Sequence, residues 1–548
     1  MTNTTMTNWT QLFVDAAMDD PTRAALAGLG LGFGLALSTI AYRTVMKVFG
    51  KGLPLCTPPG RSWLWGHERA AFEGSVGDWY LHWFEQYGPA FKINAAIDQE
   101  ECIVLADPAA LNHIYIKKNY DYPPSAFMGP FVAKLLGKSI IWAQGQTHVQ
   151  MRRLLNPAFS EKVIKQNADD IADCWSRFEA KLVEKVHVEG GHGVINAAHW
   201  MRLPALDIIG RAGFNYDFGC GESDDAKGVW ERFDEYLNGN LNLTGLLATN
   251  APRFFPAIAN LPIPALQTQQ ATKKLIHRLG REMFSREKQP QTGNDLLSIL
   301  MRQAAATGNG TLEPTEEMLD HVNTFVLAGH ETISMSVAWA MWCLACHPEQ
   351  QRMLRDEVRD FQGTPTYDDL NGSRFPYLDA VTKESLRLYP PAGHVERVAM
   401  KDDVLPLRFP VRSHDGSYIR QLPIKAGQAI IVSGSTVDRL SYVWGPDAEA
   451  WRPERWLDEG ALPLPTDTTS GWARIFAFSQ GPRSCIGLRL AVFEYKFFLF
   501  QLLRTFKLHD TGAPITRKAH KGVLNTQPFI IGREAEGTNL PIGLTLLD

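Results

Sequence analysis

Ten residues late in the chain, Phe478-Ser-Gln-Gly-Pro-Arg-Ser-Cys-Ile-Gly487, decide how the rest of the sequence is interpreted. They hold one cysteine in a glycine-punctuated loop, and an apolar, helix-like run follows from Leu488 to Leu499. Gly481 and Gly487 permit tight turns and close approach of a ligand to the backbone. Cys485 lies just before the predicted helix N-terminus, where the helix dipole and free N–H groups stabilise a thiolate. A thiolate held in this way suits a soft metal centre, although a buried structural cysteine explains the same residues equally well.

The stretch resembles Phe-x-x-Gly-x-Arg-x-Cys-x-Gly, the haem-binding loop of the cytochrome P450 monooxygenases. The five fixed positions are Phe478, Gly481, Arg483, Cys485 and Gly487. The resemblance extends from about residue 58 to the C-terminus. It implies the cytochrome P450 fold, which is mainly α with a small β region, and a buried haem b held by Phe478, Arg483 and Cys485. It also implies that Cys485 is the axial thiolate ligand of the haem iron, which favours O–O bond cleavage.

Composition excludes some classes of protein. The chain has 548 residues, of which 45% are hydrophobic, so it can form a large core. Its net charge of −4 gives no support for nucleic-acid binding. Seven cysteines are scattered through this length, which argues against a disulfide framework and is typical of a reducing compartment.

A second haem motif needs an explanation. Cys343-Leu-Ala-Cys346-His347 has the spacing of a c-type haem attachment site. It lies at the end of a long, apolar predicted helix, which His347-Pro348 would stop. We therefore interpret the match as a coincidence.

The N-terminus predicts a single-pass membrane anchor. Residues 1–23 are polar and form a predicted luminal tail, with glycosylation sequons at Asn3 and Asn8. Residues 24–42 contain no charged side chain, and a helix of this length spans about 28 Å, close to the thickness of a bilayer core. Basic residues follow this segment and acidic residues precede it, so the C-terminal side is predicted to be cytoplasmic. A buried core helix is the alternative.

Residues 43–60 form a basic, proline-rich linker that resembles the hinge of microsomal members of the family. Residues 61–548 are then the haem-thiolate catalytic domain, on the cytoplasmic side of the endoplasmic reticulum membrane and in contact with its lipid. The domain is predicted to start with strands at Ala90–Asn94 and Glu101–Ala106, after which Asp107-Pro108 opens a helix.

A helix is predicted from Gln146 to Pro157, and it places His148 and Arg152 on one face. In the family, residues at these positions reach a haem propionate, and His148 stands where tryptophan is usual. Residues 160–320 are predicted to be mostly helical. An aromatic and proline-rich break from Arg253 to Pro264 is either the mobile roof of the family's substrate pocket or an ordinary surface loop.

The stretch Phe325-Val-Leu-Ala-Gly-His-Glu-Thr332 places a glycine and polar groups inside an apolar helix, which is costly without a function. Gly329 is predicted to leave room above a flat cofactor, and Thr332 to bond back to a backbone carbonyl. A hydroxyl beside a carboxylate can organise proton delivery, so Thr332 and Glu331 are the predicted catalytic pair. The match to Ala/Gly-Gly-x-Glu/Asp-Thr is full, although Ile333 departs from the extended pattern. A polar notch in a core helix is the alternative.

Glu384-Ser-Leu-Arg387 places two charges on one helix face, and Arg455 follows in Pro-Glu-Arg. In the family these residues form a structural network behind the haem. Trp456 replaces the more common phenylalanine, with no evident consequence. By family position Arg397 is a further propionate contact. His394 would line the substrate pocket or, more simply, bond to backbone.

The predicted function is that of a haem-thiolate monooxygenase, which inserts one oxygen atom from O2 into a small lipophilic substrate. The chain lacks convincing flavin, nicotinamide or iron–sulfur motifs, so the resemblance implies that NADPH-cytochrome P450 reductase supplies the electrons. The motifs resemble those of fungal oxidases of secondary metabolism, which favours a terpenoid-like substrate. Two alternatives are a haem-dependent isomerase or dehydratase on the same fold, and a haem electron carrier or sensor without oxygen chemistry.

Overall fold

The computed structural model describes residues 34, 38, 52–96, 100–125, 128–239, 264–287, 292–307, 312–518 and 526–547. Apart from Gly34 and Ser38, which are helical, the predicted tail and anchor lie outside these residues. The aromatic and proline-rich break also lies outside them, except for its last residue, Pro264. Among the described residues, no helix combines the length and the apolar character needed to cross a bilayer.

Helices dominate the described part of the chain, in agreement with the predicted mainly α fold. They are α1 (Glu68–Glu73), α2 (Asp78–Tyr87), α3 (Pro108–Asn112), α4 (Met128–Leu135), α5 (Gly145–Leu155), α6 (Glu161–Gln166), α7 (Ala168–Val188), α8 (Ala197–Trp200), α9 (Arg202–Phe214), α10 (Asp224–Gly239), α11 (Pro264–Arg286), α12 (Leu296–Thr307), α13 (Glu316–Cys346), α14 (Pro348–Val358), α15 (Tyr367–Asn371), α16 (Pro376–Leu388), α17 (Gly434–Val437), α18 (Ser441–Trp444) and α19 (Leu488–Thr505). A π-helical turn covers His113–Lys117, and short 3-10 turns include Pro453–Trp456 and Gly481–Arg483.

Short strands form four small sheets. They are β1 (Ala90–Asn94), β2 (Glu101–Leu105), β3 (His192–Asn196), β4 (Val395–Val398), β5 (Asp403–Arg412), β6 (Tyr418–Ile424), β7 (Ala429–Val432), β8 (Phe506–Asp510), β9 (Ile515–Lys518), β10 (Gln527–Ile530) and β11 (Pro541–Leu546). The largest sheet has the order β1-β2-β7-β4, in which β2 and β7 are parallel and the other pairs antiparallel. A second has the order β3-β11-β8, and the pairs β5–β6 and β9–β10 complete the set.

The local signals before residue 160 predicted the elements well. Strand β1 has its predicted bounds, and β2 ends one residue earlier than predicted. The Asp107 carboxylate caps α3 by accepting hydrogen bonds from the N–H groups of Ala109 and Ala110. It also accepts from Arg408 N and Phe409 N, both at 3.0 Å. This buried side chain therefore joins the start of α3 to strand β5.

Helix α13 runs through the middle of the core. It has 31 residues and so is about 46 Å long. The Thr315 side chain caps its N-terminus, and nearly every residue from Met318 to Ala345 is buried. The helix ends at Cys346, where the Cys343 carbonyl lies 2.7 Å from His347 Nδ1. Cys343 is buried in the core. The residues that match the c-type haem motif therefore form the end of a helix, as interpreted from the sequence.

The region from 160 to 320 is mostly helical in its described part, but it also holds strand β3, which the sequence analysis missed. Residues Ile195 and Ile542 pair in the sheet, so β3 takes its hydrogen-bonding partner from β11, far along the chain. All seven cysteines are free thiols, in agreement with the predicted absence of a disulfide framework.

Candidate active site

The loop that precedes α19 is fixed by its own backbone. The N–H of Cys485 donates to the Phe478 carbonyl at 2.9 Å, and the N–H of Ser484 donates to the Gly481 carbonyl at 3.0 Å. Arg152 on α5 adds a bond from Nη1 to the Ser484 carbonyl at 2.5 Å. These contacts hold Cys485 in one place before the helix begins.

Gly481 is required by geometry. Its φ of +73° lies in the left-handed region that favours glycine. A Cβ at this position would lie 2.0 Å from the backbone oxygen of Tyr115. The loop therefore packs directly on the π-helical turn His113–Lys117, and any side chain at residue 481 would force the two backbones apart.

Cys485 is a free thiol in an exposed residue, although protein atoms surround the thiol itself closely. Burial raises the pKa of this thiol, and the N–H of Gly487 and the charge of Arg152 only partly oppose that effect. Gly487 is the N-cap of α19, so the expected effect of the helix N-terminus is present, but in the protein alone burial outweighs it. A bound metal ion would be needed to hold this sulfur deprotonated.

Positive charge converges on His148. Its Nδ1 lies 3.1 Å from the Tyr120 hydroxyl. Burial, followed by the positive charges of Arg483, Arg152 and Arg397, lowers the pKa of His148 to about 4. Burial and the charge of Arg397 also lower the pKa of Arg483 to about 10. The imidazole is therefore neutral at physiological pH, and the group as a whole has a surplus of positive charge that suits an anionic ligand.

Several N–H groups of this arginine cluster have no hydrogen-bond partner within the described parts of the chain. They are Nε and Nη1 of Arg397 and Nε of Arg483, all buried. The Arg397 guanidinium stacks over the Tyr115 ring at 4.7 Å, and Arg483 lies 5.8 Å from the centre of the Tyr120 ring. Buried cationic donors of this kind favour carboxylate partners.

The donor set therefore fits a haem, with a thiol for its iron and arginines for its propionates. Sequence reasoning missed Tyr115 and Tyr120. The only local signal was their aromatic character in Tyr115-Ile-Lys-Lys-Asn-Tyr120.

One face of α13 differs from the rest of the helix. Between Met318 and Ala345 only Ala328, Gly329, Thr332 and Trp342 are not fully buried. Thr332 Oγ1 donates to the Ala328 carbonyl at 2.8 Å, as predicted from the sequence. The helix thus presents a small residue and a hydroxyl, one turn apart, on the face that is least enclosed.

The structure gives a different physical reason for Gly329 from the one expected. A Cβ on Gly329 would lie 2.8 Å from Cγ1 and 3.1 Å from Cδ1 of Ile209 on helix α9. The glycine therefore lets two helices approach closely. The contact is a second reason for a glycine here, and its role in leaving room above a flat cofactor stays a prediction.

Glu331 is held by partners that the sequence did not suggest. Its Oε1 lies 2.9 Å from Arg202 Nε, and both side chains are buried. Arg202 also binds Asp234 on α10, with Nη1 2.6 Å from Oδ1. Burial opposes ionisation of Glu331, but the charges of Arg202 and His330 outweigh it and hold the pKa of this carboxyl below its usual range. A single arginine in an otherwise apolar helix start, His-Trp-Met-Arg-Leu-Pro-Ala-Leu, was the available signal.

Comparison with known proteins gives the family. The sequence profile described as "Cytochrome P450" matches residues 58–532. The chain belongs to the cytochrome P450 family. It is similar to fungal enzymes named as monooxygenases, among them cytochrome P450 monooxygenase claQ of Ampulloclitocybe clavipes, 30% identical over 90% of this chain and 93% of that protein. Cytochrome P450 monooxygenase 128 of Postia placenta is 30% identical over 90% of this chain and 92% of that protein. This P450 is therefore an oxidoreductase, and its family implies a haem cofactor, a redox partner, a substrate and O2.

The Glu384 network of this P450 has the predicted members and two more, the indole of Trp456 and the backbone N–H of Arg452. Glu384 Oε1 lies 2.8 Å from Arg387 Nη2 and 2.9 Å from Arg455 Nε. Trp456 Nε1 donates to Glu384 Oε2 at 2.9 Å, so the view that tryptophan here has no consequence is wrong. All four carboxylate-binding groups come from α16 and the turn Pro453–Trp456, or the residue before it.

The network also reaches the cysteine loop. Arg387 Nη1 donates to the Asp438 carbonyl at 2.8 Å, and the Asp438 carboxylate accepts from Phe476 N at 2.6 Å. Burial raises the pKa of Asp438 to about 7, although the Phe476 N–H and the charge of Arg387 oppose that shift. The start of the cysteine loop is thus tied to the buried ion pair behind it.

Proposed function

We propose that this P450 inserts one oxygen atom from O2 into a small lipophilic substrate, while the other atom leaves as water. The observation that carries the proposal is Cys485: a free thiol in a loop clamped by Arg152, beside a cluster of arginines whose buried N–H groups lack partners among the residues that the structure describes. Haem b, bound through this sulfur, would supply the oxygen chemistry, since a thiolate ligand favours O–O bond cleavage.

The other roles follow from the chain's own residues. Arg397, Arg483 and Arg152, with neutral His148, would bind the propionates, because their cluster has surplus positive charge. Gly481 and Phe478 would keep the sulfur in place through the backbone of the loop. Thr332 would position protons from the least enclosed face of α13, and Glu331, the next residue, would supply them.

For electrons we propose NADPH-cytochrome P450 reductase as partner, since no flavin or nicotinamide motif was found in the sequence. The uncharged segment 24–42 and the basic residues after it support a single-pass anchor in the endoplasmic reticulum membrane, in contact with lipid and with the catalytic domain cytoplasmic. A role in secondary metabolism with a terpenoid-like substrate is supported by the motifs' resemblance to those of fungal oxidases.

The test is aerobic turnover of the full-length protein with NADPH and reductase, in 18O2, against a panel of terpenoids and fatty acids. The expected result is a product heavier by one 18O atom. A rearranged or dehydrated product formed without reductase would favour the isomerase or dehydratase, and reduction with no product from any substrate would favour the electron carrier.

The matched variants use the other cysteines. Cys485→Ser removes the thiolate and should abolish oxygen insertion and the thiolate-type spectrum of the ferrous carbonyl complex. Replacing Cys343 and Cys346 together by alanine should leave both intact, because these residues lie at the end of α13. Retention of full turnover in Cys485→Ser, or loss of haem in the double variant, would overturn the assignment.

A further inference from the structure

His330 precedes Glu331, the predicted proton donor, and the protonation state of one of its ring nitrogens is defined by the structure. Its side chain is fully buried, and its Nδ1 lies 2.6 Å from the Val326 carbonyl. A carbonyl oxygen only accepts hydrogen bonds, so Nδ1 carries a proton. The tautomer of His330 is thereby fixed by its own helix.

The other ring nitrogen faces a carboxylate. His330 Nε2 lies 3.3 Å from Glu331 Oε1. If His330 were neutral with its proton on Nδ1, two buried acceptors, Nε2 and an anionic oxygen, would lie 3.3 Å apart, and within the described residues neither has a hydrogen-bond partner. One additional proton, on either Nε2 or Oε1, removes this repulsion.

The charge balance of the cluster supports the same proton. Arg202 is a single cation between two carboxylates, Glu331 and Asp234, and burial makes an uncompensated charge costly. A proton shared by His330 and Glu331 makes the group of four side chains neutral. Another histidine, His199 on α8, faces Arg202, whose charge, after burial, helps to lower the pKa of that imidazole, so His199 does not supply the missing charge.

We infer that His330 stores a proton for Glu331 and so acts as a positioning residue in proton delivery toward Thr332. This inference rests on the proposed monooxygenase function. In the transfer, the Nε2–H bond of His330 breaks as an O–H bond forms on Glu331, and both side chains become neutral. Glu331 then releases the proton toward Thr332, and solvent replaces it from the side of Asp234, whose side chain is 28% exposed.

The test variant is His330→Gln, which keeps a donor of similar size but cannot titrate. The first measurement is the ratio of product formed to NADPH consumed, between pH 6 and pH 9. In the parent the ratio should fall at the alkaline end as the shared proton is lost. In the variant it should be about 3–10-fold lower at neutral pH and flat with pH, less than the roughly 10²-fold typical of a lost proton-transfer group because water substitutes.

The second measurement does not depend on activity. The thermal midpoint of the haem-loaded protein should decrease in the parent above the pH at which the cluster loses its proton, and this step should vanish in His330→Gln. Steps from other titrating groups such as Asp438 occur in both proteins, so the difference between the two pH curves isolates the step of the cluster. Glu331→Gln removes the other half of the pair and should abolish the same step. This variant replaces His330→Gln in the test if the histidine variant does not bind haem.

His321→Gln is the matched control. His321 lies on the same helix and is equally buried, and within the described residues neither of its ring nitrogens has a hydrogen-bond partner. This variant should keep both pH profiles of the parent. Asp234→Asn tests the other location for the proton; because it removes one of the two negative charges, it should shift the step to lower pH without abolishing it.

Two outcomes would overturn the inference: parent-like pH profiles in His330→Gln, or loss of the step in Asp234→Asn with retention in His330→Gln. If the parent forms no oxygenated product at all, the proposed function fails. The comparison of thermal midpoints then still decides whether His330 and Glu331 share a proton.

Discussion

Trp456 Nε1 and Glu384 Oε2 lie 2.9 Å apart, and the tryptophan is thereby part of a buried ion network rather than a neutral substitute for phenylalanine. Glu384 also binds Arg387 and Arg455, so its charge is compensated without the indole. The indole N–H is an extra donor to an already paired carboxylate, which makes its contribution separable from that of the ion pairs.

Trp456→Phe should therefore destabilise the protein by about 1.5–3 kcal/mol, the usual range for one hydrogen bond to a charged group. Glu384→Gln should cost more, about 3–5 kcal/mol, since it leaves the buried Arg387 without its counter-charge. Urea titration followed by Soret absorbance measures both changes. Trp63→Phe is the control, because that indole is 83% exposed. Equal midpoints for Trp456→Phe and Trp63→Phe would mean that the bond to Glu384 contributes nothing.

The packing of Gly481 on Tyr115 predicts a severe effect of one methyl group. Gly481→Ala should prevent haem incorporation, since the new Cβ meets backbone at 2.0 Å and not a flexible side chain. Gly512→Ala is a matched control: its φ of +71° is nearly the same, but a Cβ there meets nothing within 4 Å. The control should lose only about 1–2 kcal/mol from the left-handed backbone. Haem content per protein, from the pyridine haemochrome spectrum, should separate the two; similar haem content would contradict the packing argument.

The approach of helices α9 and α13 at Gly329 can be tested by relieving it. Gly329→Ala should cost about 1–3 kcal/mol, as overpacking usually does. Ile209→Ala removes the atoms that the new methyl would meet. The double variant should therefore be destabilised by less than the sum of the destabilisations of the two single variants. Thermal midpoints of the haem-loaded proteins provide the comparison, and strict additivity would show that Gly329 serves the cofactor side of the helix instead.

Asp438 predicts a pH dependence with a definite sign. Its folded-state pKa of about 7 lies above the usual 3.8, so the folded protein holds a proton that the unfolded chain releases. Stability from this group is thus complete below about pH 4, decreases as pH rises, and is lost above about pH 7. At about 1.4 kcal/mol per tenfold change in proton affinity, the loss is on the order of 4 kcal/mol.

Asp438→Asn removes this titration but keeps an oxygen that can accept from Phe476 N. The variant should be more stable than the parent at pH 8, and the advantage should shrink as the pH is lowered toward 5. Free energies of unfolding from urea titrations at several pH values measure the difference. Glu494, whose pKa burial raises to about 8, titrates in both proteins and so cancels. Parallel pH curves would show that Asp438 does not titrate in this range.

Local sequence signals predicted the elements that depend on local chemistry. Strand β1, the cap at Asp107 and the stop of α13 at Cys346 all follow from turn, cap and proline signals within a few residues. The bond from Thr332 to its own helix is equally local and was also predicted.

Contacts between distant segments could not be predicted in this way. Arg202 and Glu331 are 129 positions apart, and the sequence around neither residue predicts the contact with the other. Strand β3 depends in the same way on β11. The thiol pKa of Cys485 depends on the depth of burial, which overrides the expected effect of a helix N-terminus. Family motifs indicated which residues belong to the candidate site, whereas the partners of those residues could be identified only from the folded structure.

The sheet of order β3-β11-β8 places the strand Pro541–Leu546 in the middle. Leu540 and Asn196, which bond at its edge, are separated by 344 positions along the chain. During synthesis at about 5–20 residues per second, β3 therefore leaves the ribosome roughly 17–70 s before β11, its neighbour in the sheet. Throughout that interval β3 cannot pair with β11, and an unpaired strand edge is open to association with other nascent chains.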